Sequence, residues 1–403
     1  MKAKLFIFIS LISFYVSAQD PSFSHIDLNS MYMNPAFCGS SGGTKFLSIR
    51  REQWKGINGS GSQFSIGGNS PFTNSLIEAS TLLYYNNGRH GGVKSINFGI
   101  SALTEDNIFN NDLEGGVFLK RTDYSGYLSF LFQLDNIRSL KKYRWLQEKY
   151  IQFGVSAGNT NFGLDADNLV FSNMIDAYGE TYPLITNLPY NSIENKRFPR
   201  LSAGVLLSMF GNNSSTKRNA TIIGYSFQTL NENFQQSSLR SLKHSFHIEH
   251  KGTTPVWIQE GIPHWKIFYK SEHYKTNAWN SRKYEFGQSL EIFHSLLEIG
   301  QIFRFNSNLN TEGNDLHLQT WIPFLRMNLP VSRHLLQISY ILHEGGLENN
   351  KDNYLYAGQT GNTHEISLTL HLFTNRPKKC IEFGQNKHNG LVENLKRNAL
   401  RRK

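Results

Sequence analysis

Beyond its first 18 residues the chain never again strings together more than four apolar residues, the longest such run being Leu82–Tyr85. A membrane-spanning helix needs about 20. The same chain carries 29 Phe, 18 Tyr and 6 Trp, and many of its apolar residues fall on alternate positions. Helical spans are therefore excluded, while a closed sheet remains open to it. A spanning strand needs only alternation, with one face in lipid and the other in a wet lumen.

The alternation is clearest in six segments. Ile96, Phe98, Ile100 and Ala102 share a face opposite Ser95, Asn97, Gly99 and Ser101. Leu128, Phe130, Phe132 and Leu134 oppose Tyr127, Ser129 and Gln133. Ile151, Phe153, Val155 and Ala157 oppose Gln152, Gly154 and Ser156. The same holds for Ile223, Tyr225 and Phe227, for Leu336, Ile338, Tyr340 and Leu342, and for Ile366, Leu368, Leu370 and Leu372. A period of two places each set on one side of a sheet. The opposing residues are small or polar, which suits water outside a soluble sandwich or inside a barrel lumen. Paired aromatics near strand ends (Tyr84 with Tyr85, Tyr143 with Trp145, Trp265 with Tyr269, Trp321 with Phe324) read as interface girdles and favour the barrel. The expected fold is all-β, a transmembrane antiparallel β-barrel. At about 20–25 residues per strand and connection, residues 45–373 give roughly 13–16 strands, with an even count expected. Asn-, Gly- and Ser-rich stretches such as 104–112 read as turns, and 159–196, with Pro183 and Pro189, as a long loop over or into the barrel.

Residues 1–18 read as a secretory signal: Lys2 and Lys4, an apolar stretch over Leu5–Tyr15, then Val16-Ser17-Ala18 before a mature start at Gln19. A retained anchor is the other reading, but the apolar stretch is short for one. Of the formal charge of +10, residues 374–403 carry +7 and Lys2 and Lys4 two more, which leaves +1 for residues 19–373. Basicity confined to a short tail of an exported chain argues against nucleic acid as a partner. Cys38 and Cys380 are read as independent thiols; one bridge in an oxidising compartment is the other arrangement.

Catalytic and metal chemistry finds little support. Gly154-Val155-Ser156-Ala157-Gly158 matches G-x-S-x-G, yet Ser156 continues an alternating strand and Asn159-Thr160-Asn161 follows where a helix is required. His247 and His250 fall on opposite faces of a strand, which disfavours a zinc pair. Asp165, Asp167 and Asn168 do not follow a calcium-loop spacing. No enzyme activity, metal or cofactor is expected.

The mature start reads Gln19-Asp20-Pro21-Ser22-Phe23-Ser24-His25, followed by Asn34-Pro35-Ala36-Phe37-Cys38-Gly39, then Arg51-Glu52-Gln53-Trp54. Near the far end stands Gly361-Asn362-Thr363-His364-Glu365-Ile366-Ser367-Leu368. These segments resemble the PorP/SprF family of type IX secretion membrane proteins of Bacteroidetes, which carries QDPxFSQ-like, NPAYAG-like, R-x-Q-W and GSHEISL-like motifs. His25 and Phe37-Cys38 depart from that pattern. The resemblance implies an outer-membrane barrel of about 14 strands with a FadL-like shape. It implies a role in export or surface attachment of a cargo protein with a C-terminal sorting domain, gliding adhesins included. It also implies other type IX components as partners, periplasmic or peptidoglycan-associated ones among them. A FadL-like passive channel for a small or apolar solute is the alternative. His364 and Glu365, adjacent on a strand, point to opposite faces.

The chain divides into a signal (1–18), a non-strand segment in or under the barrel (19–44), the barrel (45–373) and a basic tail (374–403). In the tail, Leu391, Leu395 and Ala399 recur at helical spacing beside Arg401, Arg402 and Lys403. A periplasmic docking helix and a solvated tail are both compatible with that pattern.

Overall fold

The computed structural model describes residues 23, 30–40, 43–53, 72–85, 92–109, 117–134, 148–165, 196–212, 218–232, 239–253, 264–275, 280–293, 296–308, 317–331, 334–343 and 363–372. Fourteen antiparallel strands close into one barrel, each bonded to its sequence neighbours and β1 to β14. They are β1 (Thr44–Gln53), β2 (Phe72–Tyr85), β3 (Gly92–Phe109), β4 (Val117–Leu134), β5 (Glu148–Asp165), β6 (Lys196–Asn212) and β7 (Arg218–Glu232). Then follow β8 (Leu239–Thr253), β9 (His264–Lys275), β10 (Asn280–Ile292), β11 (Leu297–Asn308), β12 (His317–Val331), β13 (His334–His343) and β14 (Thr363–Leu372). Closure satisfies every strand edge, which a sheet in lipid requires. Among the described residues no helix is long and apolar enough to cross a membrane, which is silent about a barrel.

Burial inverts the pattern of a soluble protein. Ile77, Ile100, Val155, Leu201 and Ile366 face outward and are more than half exposed, while Glu285, Glu298 and Arg326 face inward at 1%. The outward apolar faces include the six predicted from alternation, joined by those of other strands such as β2, β6 and β10, and they form the lipid belt.

Three expectations need correction. Residues 104–109 and 159–165 are strand, because β3 and β5 run on past the lipid belt, where polar residues suit both faces. Phe324 is no girdle residue: it lies three positions from Trp321, so it faces inward at 3% exposure. Lys196 opens β6, and 166–195, together with Tyr143 and Trp145, lie outside the described residues.

The termini of the barrel wall, Thr44 and Leu372, lie at one end, paired with each other. Connections at that end include 86–91, 213–217 and 332–333; those at the other include 54–71, 166–195 and 344–362. Short turns on the periplasmic side and longer loops outside are the rule for bacterial barrels, which puts Thr44 and Leu372 on the periplasmic side.

Candidate functional site

The lumen is occupied by the chain's own N-terminal segment. Ser30–Met33 forms one helical turn, α1, and Pro35–Phe37 a 3-10 turn. Asn34 is extended between them (φ −144, ψ 112), and its Oδ1 accepts from the Ala36 N–H at 3.0 Å. Proline after this cap fixes the first φ of the turn and withholds a donor the turn does not use. Gly39 ends the segment at φ +68, and a Cβ there would also strike Asn97. Glycine alone meets both demands.

Among the described residues, the following six hydrogen bonds tie this segment to the wall. Asn34 Nδ2 donates to the carbonyls of Val205 and Tyr225, each at 3.3 Å. Ser226 Oγ donates to the Met33 carbonyl at 2.6 Å. Ser129 Oγ and Gln152 Nε2 both donate to the Cys38 carbonyl, at 2.7 and 2.8 Å. The Tyr32 N–H donates to Glu78 Oε1 at 2.8 Å. Apolar contacts complete the seat. Ala36 packs with Leu206 and Ile222, and Met33 joins Phe268, Ile302, Ile322, Phe324 and Ile341. Phe23 is buried with Tyr32, Leu47, Ile49, Leu76 and Leu103. Phe37 stacks on His247 with ring centroids 4.9 Å apart.

Above and below the Phe268 cluster, the inner faces of β8–β12 carry two ionic layers. Toward the long-loop end, Lys243 and Lys270 meet Glu272 at 3.1 and 3.3 Å, while Lys283 and Arg304 meet Glu285 at 3.2 and 2.8 Å. Toward the terminus end, Lys251 meets Glu291 at 2.7 Å and Arg326 meets Glu298 at 2.8 Å, with Lys266 3.8 Å from Glu298. Across the lumen Asp123 holds Arg121 at 3.1 Å and Arg200 at 2.8 Å, and the Arg200 guanidinium lies 4.2 Å from the Tyr32 ring centre. A buried charge persists only when paired and hydrogen-bonded, so these layers fasten strands to one another. Adjacent strands are joined through Arg304–Glu285 and Arg326–Glu298, and next-but-one strands through Lys251–Glu291 and Arg200–Asp123.

The motif residues divide accordingly. Asn34, Pro35 and Gly39 come together in the lumen, and Phe23 is buried beside them. Gln53 closes β1. Glu365 faces inward, fully buried and opposite Arg51 in register; His364 faces outward, its Nδ1 2.7 Å from the Tyr340 hydroxyl. Gln19, Asp20, Pro21, Trp54 and Gly361 lie outside the described residues, as do Cys380, Asp167, Asn168 and the tail residues Leu391, Leu395, Arg401, Arg402 and Lys403. Ser156 sits inside the unbroken β5, its hydroxyl against that of Ser202, with neither turn nor helix at the motif. His247 faces inward, whereas His250 turns away from it and meets Thr221 Oγ1 at 2.8 Å. Among the described residues no group of three or more His, Cys, Asp or Glu side chains is placed to hold a metal. Cys38 is a free, fully buried thiol, pushed up to about 12 by burial and secondarily by Glu78.

The ionic layers escaped the reading of the sequence. Their signal is charge at period two, as in Lys266-Ile267-Phe268-Tyr269-Lys270, where the inward positions hold Lys, Phe and Lys.

The sequence profile described as type IX secretion system membrane protein PorP/SprF matches residues 16–370. The chain belongs to the PorP/SprF family. It is an outer-membrane β-barrel with a part in type IX secretion. No curated protein matches it. Among solved structures it is similar to the CymD monoaromatic hydrocarbon channel (9% identity, 89% of this chain and 96% of that one, TM-score 0.37). It is also similar to CdiB from Acinetobacter baumannii (7%, 82% and 60%, 0.40) and to the beta domain of the Bordetella autotransporter BrkA (7%, 82% and 99%, 0.31).

Proposed function

We propose that this PorP/SprF barrel is a scaffold that assists export or surface attachment of a cargo protein bearing a C-terminal sorting domain. The observation that carries this reading is the occupied lumen: hydrogen bonds and packing in four apolar clusters hold residues 30–40 across it. An apolar solute crossing this lumen would meet ionic layers on β8–β12 and a Ser- and Gln-bearing wall on β4, β5 and β7. That is poor solvent for it, so the passive-channel reading is the weaker one. Cargo recognition then falls to the ends of the barrel.

On the same reading residues 1–18 are the removed signal, and residues 374–403 form a periplasmic tail. Leu391 and Leu395 would make contact with another secretion component, and Arg401, Arg402 and Lys403 would steer it electrostatically. The test is surface display of a reporter fused to a C-terminal sorting domain, in cells lacking this barrel and complemented with variants. The full chain should restore display, and a chain ending at Phe373 should reach the outer membrane yet restore less. Full display without the barrel would overturn the scaffold reading; full display with the truncated chain would overturn the docking role of the tail.

A further inference from the structure

We propose that residues 30–40 are a releasable plug, and that their withdrawal opens a pore for ions and small hydrophilic solutes along the β2–β7 side of the barrel. This goes beyond the scaffold reading, which needs only a closed lumen. Three observations carry it. The wall does not depend on the plug: all fourteen neighbouring pairs are bonded, and the ion pairs of β8–β12 join wall residues to wall residues. The surface behind the plug is mixed: beside apolar residues such as Leu76, Leu206 and Ile222 it carries polar groups. It presents Glu78, Asn97, Ser129, Gln152 and Ser226, groups that water can solvate once the plug has left. Four of the six bonds to the plug use its main chain, namely the Tyr32 N–H, the Met33 carbonyl and twice the Cys38 carbonyl. Water can replace each of them.

Barrel width points the same way. Eight strands enclose a space that side chains fill, whereas sixteen to eighteen leave an aqueous channel. With fourteen strands, the wall's own side chains fill the β8–β12 half and the plug fills the rest.

The experiment is KCl conductance in planar bilayers, with heat-modifiable gel mobility confirming a folded barrel. The full chain should stay closed for most of the recording. Asn34→Ala with Ser226→Ala removes three of the six bonds and should raise open probability at least tenfold. Deletion of residues 30–40 should give a steadily open pore. A lock is available beside the native thiol, because a Cβ at position 99 would lie 3.0 Å from Cys38 Sγ and 2.8 Å from the Met31 sulfur. Gly99→Cys, added to the weakened variant in a Cys380→Ser background, should hold the pore closed when oxidised and release it with dithiothreitol. The proposal is overturned if the folded deletion variant or the weakened variant conducts no more than the full chain, or if reduction of the locked variant changes nothing. It is overturned equally if the deletion leaves no folded barrel, since residues 30–40 would then be core rather than plug. Cargo display, which tests the scaffold reading, is scored separately from conductance.

Discussion

Pro35 rests directly on Gly154. A Cβ at position 154 would collide with the Pro35 carbonyl group and the Ala36 nitrogen. The glycine that opens the G-x-S-x-G run is therefore explained by the plug that lies on it. Gly204 serves the same end on β6, where a Cβ would strike the Asn34 amide. Two wall glycines thus form the seat of the Asn34-Pro35 turn.

Gly154→Val should shift that turn or unseat it. Overpacking a close contact costs about 1–3 kcal/mol. The expected outcome is a folded barrel with a lower urea midpoint and more protease cleavage within residues 30–40. An unchanged midpoint and an unchanged cleavage pattern would contradict the contact.

The legible part of this fold is the part whose inner face is small or polar. On β3, Phe98 and Ile100 stand against Asn97, Gly99 and Ser101, and period two is plain. On β9 and β12 it is blurred, because Phe268, Ile322 and Phe324 point inward to meet Met33. Large residues then occupy both faces, as in Trp321-Ile322-Pro323-Phe324-Leu325. The closing strand pair was equally hidden, because no local pattern tells β1 that β14 is its neighbour; register across the closure is a global property. At the plug, Asn34-Pro35 and Gly39 were readable as turn chemistry. The wall side chains that hold the neighbouring Cys38 and Met33 carbonyls, Ser129, Gln152 and Ser226, were not, since each lies more than 90 residues away in sequence.

Cys38 offers a pH-dependent test. Its thiol is buried and pushed from 9.0 up to about 12, first by desolvation and then by Glu78. At neutral pH it is protonated and shielded, so the thiolate that alkylating reagents need is absent. In a Cys380→Ser background, folded protein should resist maleimide at pH 7.5 and react fully once denatured. The sign for stability follows from linkage. The folded-state value is the raised one, so the contribution of Cys38 is fully present below pH 9 and is lost as pH rises from 9 toward 12. Cys38→Ala should flatten the decline in that window. Rapid labelling of the folded barrel would show that the plug exposes this residue.

Ser156→Ala should leave cargo display unchanged. The hydroxyl, on β5, faces that of Ser202 on β6 and has no turn to project it. Losing one such bond costs about 1 kcal/mol, which would appear as a small drop in the urea midpoint. Lost display at normal barrel abundance would reopen the question of chemistry at this serine.

The ionic layers predict strong non-additivity. Arg326 Nη1 lies 2.8 Å from Glu298 Oε2, with both side chains 1% exposed. Arg326→Ala strands a buried carboxylate that retains Ser289 Oγ at 2.7 Å and Lys266 Nζ at 3.8 Å. Breaking a buried pair from one side costs about 3–5 kcal/mol, whereas replacing both partners with neutral residues of similar size is often close to neutral. Arg326→Met and Glu298→Gln should therefore each destabilise the barrel, and the double variant should be more stable than their sum predicts by at least about 1 kcal/mol. Urea unfolding of the three variants, read by heat-modifiable mobility, measures the cycle. Lys266 sets how large the coupling is, because it remains near residue 298 in every variant. If the two substitutions add without coupling, the pair does not fasten β11 to β12, and the terminus-end layer is held by Lys266 instead.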